Sequence, residues 1–528
     1  MRLAAPIFAS DVRRSPLASL ALLGLFIGGA YIFSQYVIND DLPGLAYIGL
    51  ACVGSAFAIA ILKNWRNGLY FFLTWLLFED FVRKFLGNNM AIYFAKDALV
   101  ALVYLSFFLE YRRNKVKTFR PAFLTPLLLF VWFGVMQVFN PASSTVLYGV
   151  LGMKLYFSYI PLLFLGYALI NSEAELRKFF IVNIFLALII GGLGIAQSIT
   201  GPSFLNPAKP AEEIRELSTL YRTSPISGVS AYRASSVFVS AGRYTDFILI
   251  AWLLVLGYTG YLLLRHKRGR NLAFITVTAM YAAIILGAAR ALFMWGTGSA
   301  IVIAAAFLWG APWKQREVIR VFRTMQRAAM AIALAMVALF FIFPDQLAAR
   351  LTIYSETLTP GSSASELQHR TWDYPLENFL KAFRYDRWPY GFGVGTASLG
   401  VQYMAHTLHQ IPMNVGVESG FGTLIVEMGI GGLALWLITS VAILLSAWKV
   451  VKKMRGSPWF PIAFVIFWNA FILLLPVTFT SMAVYQDFVV NAYLWLTLGI
   501  LFRLPTLTLS AQFAMTPSLA AQPRFRMR

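Results

Sequence analysis

Apolar runs dominate the chain, and their length more than their periodicity sets the fold class. Long stretches with few charges fall near 17–38, 42–62, 68–78, 91–109, 121–138, 147–170, 179–199, 244–264, 271–289, 291–311, 328–344, 420–446, 459–479 and 488–502. A helix needs about 20 apolar residues to cross the hydrocarbon core, with about 17 as a minimum. The pattern therefore predicts about fourteen spanning helices. The run at 68–78 reaches that length only by recruiting residues around Glu79 and Asp80, and the last one extends backwards through Tyr485. No stretch longer than about 75 residues lacks such a segment, which excludes a soluble multidomain protein. The expected fold is an all-α polytopic membrane protein, with residues 1–528 as a single polytopic domain.

Composition agrees with the pattern. Hydrophobic residues make up 59% of the 528 positions and charged residues 13%, against about 45–50% and about 25% in soluble domains. A net charge of +21 would ordinarily suggest nucleic acid, but its placement says otherwise. With the N-terminus in the cytoplasm and sides alternating, the inner connections hold 29 of the 44 Lys and Arg residues and five of the 23 acids. Among these are Arg112, Arg113, Lys115, Lys117 and Arg120, then Arg265, Lys267, Arg268 and Arg270, then Lys449, Lys452, Lys453 and Arg455. This is the positive-inside rule, with both termini cytoplasmic. The charge is a topology signal, and nucleic acid is not an expected partner.

The single cysteine, Cys52, falls inside an apolar run, so no disulfide or thiolate metal site is expected. Residues 1–16 are basic, but the run that follows is too long for a removed signal peptide and reads as an uncleaved first span. The tail 506–528, rich in Ser, Thr, Ala, Gln and Pro, reads as a disordered cytoplasmic end.

Two long segments remain on the outer side, 200–243 and 345–419, and chemistry is expected there. The first opens with Pro202, Pro207 and Pro210, carries Glu212, Glu213 and Glu216, and then runs through Arg222, Arg233 and Arg243. The second contains Asp373-Tyr374-Pro375-Leu376-Glu377, a helix start. Leu376, Phe379, Leu380 and Phe383 follow on one face, with Glu377, Lys381 and Arg384 on the other. That spacing predicts an amphipathic helix lying along the outer interface. Arg290 is a lone cation between two apolar runs, and an ionisable residue at such depth is a functional candidate; snorkelling to headgroups is the alternative. Lys96-Asp97 and Lys154 sit similarly, in structural roles. Gly391-Phe392-Gly393-Val394-Gly395 has no preceding strand, so it is a tight turn approaching a ligand or the membrane, not a dinucleotide fingerprint. His406 and His409 lack the further ligands that zinc needs. Glu418 lies at an outer helix mouth, while Glu427, nine residues on, lies deeper.

The segment from Leu286 through Leu445 resembles the conserved module of bacterial O-antigen ligases and polysaccharide polymerases. Ala289-Arg290 matches the family's Ser-Arg pair. Arg370-Thr371-Trp372 matches its Arg ahead of a Trp, and Pro389-Tyr390-Gly391-Phe392-Gly393-Val394-Gly395 its Pro-to-glycine stretch. Counting back from Gly429-Ile430-Gly431-Gly432 puts Glu418-Ser419 where the family has His-Asn; a competing register starts at His409-Gln410. Upstream, Glu79-Asp80-Phe81-Val82-Arg83-Lys84, Lys96-Asp97, Phe139-Asn140-Pro141 and Gly152-Met153-Lys154-Leu155-Tyr156-Phe157 look like the exopolysaccharide-associated branch.

The resemblance implies a GT-C-like glycosyltransferase of the bacterial inner membrane. Its module would cover 286–445, with undecaprenyl-diphosphate-linked glycan as donor, a second glycan as acceptor and membrane lipid around it. A chain-length regulator or other polysaccharide-assembly proteins are implied partners. A departing diphosphate needs preorganised guanidiniums, and Arg290, Arg370 and Arg233 are the first candidates, with Arg243, Arg384 and Arg387 behind them. The acceptor hydroxyl needs a base, Glu418 or alternatively His409. The scheme calls for no metal ion and no cofactor. Polymerase is the leading reading. An O-antigen ligase acting on lipid A-core or protein is the first alternative. A lipid-linked glycan transporter is the second, against which the absence of repeats and of midplane ionisable residues counts.

Overall fold

The computed structural model describes residues 54–515, apart from 88–89, 115–118, 208–214, 266–268, 312–322, 359–365, 399–415 and isolated positions in 217–225, 324–339 and at 482. It is mostly helical. Eight of its helices among the described residues are long and apolar enough to cross a membrane, and three shorter apolar helices accompany them. The expected run at 17–38, residues 42–53 of the next run and scattered positions of 328–344 lie outside the described residues.

The chain divides into two units. The first comprises residues 54–75 and 90–117: helix α1 (Gly54–Lys63), the first half of α2 (Trp65–Leu86) and α3 (Met90–Asn114). Asn64 separates α1 from α2, its side-chain oxygen accepting from the main-chain N–H groups of Arg66 (3.1 Å) and Asn67 (3.3 Å) as a helix N-cap does. The Ser106 hydroxyl donates to the Ile61 carbonyl at 2.9 Å, and Trp65 meets Phe107 edge-on at 5.0 Å. Lys96 turns onto its neighbour Tyr93, donating to that carbonyl at 2.5 Å and lying 3.5 Å over the ring.

The second unit takes residues 76–89 and everything from 118 onwards. It holds α4 (Leu124–Val138), α5 (Val146–Phe157), α6 (Leu162–Leu169), α7 (Glu173–Thr200), α8 (Ala241–Arg265), α9 (Arg270–Leu286), α10 (Arg290–Gly310), α11 (Pro344–Leu358), α12 (Tyr374–Lys381), α13 (Gly420–Met454), α14 (Phe460–Ile472) and α15 (Phe488–Met515). Helix α8 is apolar on every face, the signature of a helix with no solvent side, and it is buried on nearly all of them, packing on α7, α9, α10, α14 and α15. In contrast α4, α10 and α13 expose Leu128, Trp132, Ile301, Leu308, Ile438 and Leu445, the apolar outer faces expected of helices that meet lipid. Close crossings rely on glycine: a Cβ on Gly166 would meet the Leu496 carbonyl at 2.1 Å, and one on Gly499 the Leu163 carbonyl at 2.1 Å, so α6 and α15 touch backbone to backbone.

The run 147–170 holds as one candidate span, Val146–Leu169, built of α5 and α6 with a turn at 158–161 and Pro161 as the cap of the second. Two expectations change. The tail is helical through Met515, past Pro505, and only 516–528 lie outside the described residues; Thr, Leu and Ala are compatible with a helix, and a proline in such a helix costs little beyond one main-chain hydrogen bond when neighbours compensate. The all-α class also acquires a small antiparallel hairpin, β1 (Tyr221–Thr223) on β2 (Ser230–Tyr232), pairing Tyr221 with Tyr232 and Thr223 with Ser230.

Candidate functional site at the outer helix ends

The segments that charge counting assigns to the outer side converge within the second unit. Residues 233–241 are mostly buried rather than a solvated loop. Gln197, near the end of α7, accepts from the main-chain N–H groups of Ser235 (2.9 Å) and Ser236 (2.6 Å). From the last turns of α2, Lys84 donates to the Ser235 hydroxyl (3.1 Å) and to the Ser236 carbonyl (2.7 Å). These contacts hold Ser236 at a positive φ of 50° and set the hairpin against the helix ends.

Arg350 is the central pin of this region and is only 2% exposed. Its guanidinium donates to four carbonyls, those of Leu286 (2.7 Å), Gln346 (2.7 Å), Ser198 (3.0 Å) and Tyr232 (3.3 Å). It thereby ties α11 to the ends of α9 and α7 and to β2. Tyr354, one turn on, donates to the Ile285 carbonyl at 2.8 Å and stacks on Phe293 at 4.4 Å.

Around this pin gather three more guanidiniums. Arg290 is the first residue of α10, 7% exposed, after a connection in which Ala288 takes a positive φ of 52°. Arg222 lies on β1. Arg233, just past β2, is held below its ordinary value by burial and by the Arg222 charge, with Tyr354 and Asp246 acting the other way. An arginine still carries its full charge at neutral pH under such pressure, so like charges are kept close at a conformational cost. Glu356 lies within the field of Arg290: hydrogen bonds from Ser224 and Ser227, and to a smaller extent the Arg290 charge, hold its carboxyl below the usual range. Burial pushes the Tyr354 phenol up. This concentration of cation with hydroxyl donors suits a phosphorylated anion.

Arg243 is engaged by carboxylates of its own. It grips Asp80 through a single nitrogen at 2.8 and 2.7 Å, lies 3.8 Å from Asp487 and covers the Phe488 ring at 4.4 Å. Asp80 also pairs with Arg83 at 3.1 Å and Asp487 caps α15 by accepting from the N–H groups of Val489 (2.8 Å) and Val490 (3.0 Å). These contacts bind α2, α8 and α15 together, which is a structural assignment for Arg243.

The glycine stretch approaches backbone rather than a ligand. Phe392 N–H donates to the Val426 carbonyl (2.8 Å) and Gly393 N–H to that of Glu427 (2.9 Å), across the break in α13 where Gly429 takes φ 68°. A Cβ on Gly391 would strike the Glu427 carbonyl at 2.4 Å, and one on Gly395 the Tyr148 carbonyl at 2.2 Å. The buried Glu427 carboxylate completes the dock, accepting from the Tyr156 hydroxyl (2.7 Å) and from Ala397 N–H (3.0 Å).

Glu418 is exposed just outside the start of α13. Ser419 caps that helix, accepting from Gly422 N–H (3.4 Å) while its hydroxyl donates to the Phe479 carbonyl (2.7 Å). Tyr485 donates to the Gly420 carbonyl at 2.8 Å. Glu418 therefore projects from a fixed point. Its carboxylate accepts from the Tyr374 hydroxyl at 2.6 Å, the Tyr374 ring lies 5.9 Å from that of His369, and Asn378 steadies the Glu418 N–H at 3.5 Å.

Helix α12 forms as expected, with Pro375 in its first turn, and packs Pro375 and Asn378 inward; Leu380, Trp372, Trp388 and Tyr390 are left exposed. Arg370 belongs to the π-turn His369–Asp373 preceding it, and Arg384 and Arg387 are exposed after it. His406 and His409 lie outside the described residues. Thus Arg233 and Arg290 each neighbour the end of α11, Glu418 sits with Tyr374 at the start of α13, and Arg243 is engaged by Asp80 and Asp487. Sequence reasoning misses Arg350, Tyr354 and Glu356, whose α11 carries no motif, and passes over His369 beside Arg370. Comparison with known proteins finds no family model that matches the chain and no characterised protein with significant similarity to it.

Proposed function

We propose that the chain is a membrane glycosyltransferase that passes glycan units from undecaprenyl diphosphate to a second glycan on the periplasmic face of the bacterial inner membrane, in the assembly of a surface polysaccharide. The observation that carries this reading is the gathering of Arg222, Arg233 and Arg290 about Arg350, with Ser224 and Ser227, at helix ends where the positive-inside bias disfavours cations. Charge is retained there against both the topology rule and the burial cost. A diphosphate leaving group offsets that cost, because negative charge grows on it as the glycosidic bond breaks.

In this scheme an acceptor hydroxyl attacks the anomeric carbon, the carbon–oxygen bond to the diphosphate breaks, and the proton passes to Glu418. The diphosphate departs against the guanidiniums, and a single displacement inverts the anomeric centre. Tyr374 orients Glu418 for this role through its 2.6 Å hydrogen bond. About fourteen spans in a GT-C-like arrangement, and the resemblance of 286–445 to O-antigen ligases and polysaccharide polymerases, belong to the same proposal.

The test is reconstitution of the purified protein in proteoliposomes with an undecaprenyl-diphosphate-linked oligosaccharide, reading product length on a gel. A ladder from donor alone is the expected result and identifies a polymerase. Product that appears only when lipid A-core or a protein acceptor is added identifies a ligase. Movement of the donor across the bilayer with no new glycosidic bond overturns the glycosyltransferase reading in favour of a transporter.

A further inference from the structure

The arginine group already faces an anion that belongs to the chain. Glu356 lies on the last turn of α11, two residues beyond Tyr354, whose ring stacks on Phe293 one turn into α10. That stacking brings the end of α11 alongside the start of α10, where Arg290 sits. On the other side is the tight turn of the hairpin. There Ser224 N–H donates to the Val229 carbonyl (2.9 Å) and Gly228 N–H to that of Ser224 (3.1 Å), with Gly228 at φ 69°. The Ser224 hydroxyl oxygen accepts from Ile226 N–H at 3.2 Å. A hydroxyl has one hydrogen to give, and this one goes to Glu356 Oε2.

The carboxylate of Glu356 thus receives a buried serine hydroxyl held in place by its own turn, further donation from Ser227, and the charge of a nearly buried guanidinium. Hydroxyl, main-chain N–H and guanidinium donors are the set that recognises phosphoryl oxygens. Glu356 itself remains accessible to solvent, so its side chain is free to swing away without unfolding α11.

We propose that Glu356 is an internal stand-in for a phosphate group, occupying the Ser224 and Ser227 donors within the field of Arg290 until a diphosphate displaces it. The device keeps mutually repelling arginines neutralised in the resting protein and sets a threshold that singly charged anions do not pass. It rests on the reading of the arginine group as a diphosphate site.

The experiment titrates farnesyl diphosphate and inorganic pyrophosphate separately into the full-length protein in phosphatidylcholine nanodiscs by calorimetry. It compares wild type, Glu356→Gln, Glu356→Asp and Arg290→Ala. Removing a competing carboxylate charge at an accessible site should tighten binding on the order of fivefold. Glu356→Gln is therefore expected to bind both probes more tightly than wild type, Glu356→Asp is not, and Arg290→Ala loses affinity. Unchanged affinity in Glu356→Gln, with Arg290→Ala still impaired, overturns the stand-in and leaves the diphosphate site standing. A gain confined to farnesyl diphosphate also overturns it, since the competition is for phosphate oxygens. Loss of binding in Glu356→Gln makes the carboxylate a support of the site and overturns the proposal as well. No binding of either probe by any of the proteins defeats the diphosphate reading and the stand-in with it.

Discussion

Arg350 and Glu418 show how differently two charged residues of one region can be employed. Arg350 spends its guanidinium on carbonyls of four segments. Truncation removes a donor from the buried carbonyls of Leu286, Ser198 and Tyr232, at about 1–3 kcal/mol each, so Arg350→Ala should destabilise the protein by about 3 kcal/mol or more. Arg350→Lys should recover only part, since one ammonium cannot serve the same fork. Thermal unfolding of the purified variants checks this, and an unshifted midpoint for Arg350→Ala would refute the pin. Glu418 is exposed, and in the proposed scheme it is the base. Loss of a general base costs about 10²–10⁴ in rate, which is the drop in transfer rate expected for Glu418→Gln, with a much smaller loss in Tyr374→Phe at unchanged stability. A Glu418→Gln enzyme running at the wild-type rate would move the base to another group, His409 first. Glu418 is singled out in the chain because nine residues separate the pair Glu418-Ser419 from a Gly-x-x-Gly pattern. Arg350 is not, because a single arginine among Ala, Leu and Thr carries no sign of which backbone carbonyls will surround it.

Among the elements, eight of the fourteen apolar runs coincide with helices long and apolar enough to cross a membrane among the described residues, since bilayer thickness imposes one scale on all of them. Apolar length is a weaker guide where polar residues complete a helix. Glu79, Asp80, Arg83 and Lys84 continue α2 because each is buried within the second unit, a tertiary effect that hydropathy does not register. The glycine stretch at 391–395 reads as a close backbone approach, correctly in kind, but its partner is the Gly429 break of α13 and the backbone of α5. The consequence is a packing requirement. In Gly395→Ala a Cβ would collide with the Tyr148 carbonyl at a residue whose φ is 86°. The left-handed conformation alone costs about 1–2 kcal/mol for a residue with a side chain, and overpacking adds to it. The variant should unfold at a clearly lower temperature and lose transfer, and a variant indistinguishable from wild type in thermal unfolding would show that this dock does not matter. The hairpin β1–β2 escapes the hydrophobic pattern, because strands of three residues leave too short a stretch to read.

For the whole molecule, the distribution of Lys and Arg along the chain predicts one sidedness. The segments it assigns to the outer side supply contacts to Arg350, Tyr354 and Glu427. A membrane-impermeant maleimide tests the sidedness in a Cys52→Ala background. In intact spheroplasts it should label Ser227→Cys and Asp386→Cys, and it should reach Lys453→Cys only after the membrane is opened; labelling of Lys453→Cys in intact spheroplasts would reverse the topology. What a linear pattern hides is which outer arginines act together, since Arg222, Arg233, Arg290 and Arg350 are scattered over four segments and only folding brings them to one place. The central claim is that this group stabilises a departing diphosphate. Its most direct test is transfer from undecaprenyl-diphosphate-linked oligosaccharide in proteoliposomes by Arg290→Ala, with insertion and thermal unfolding checked against wild type. Folded, inserted Arg290→Ala protein that yields no glycan product is the predicted result; wild-type yield from that variant would contradict the account.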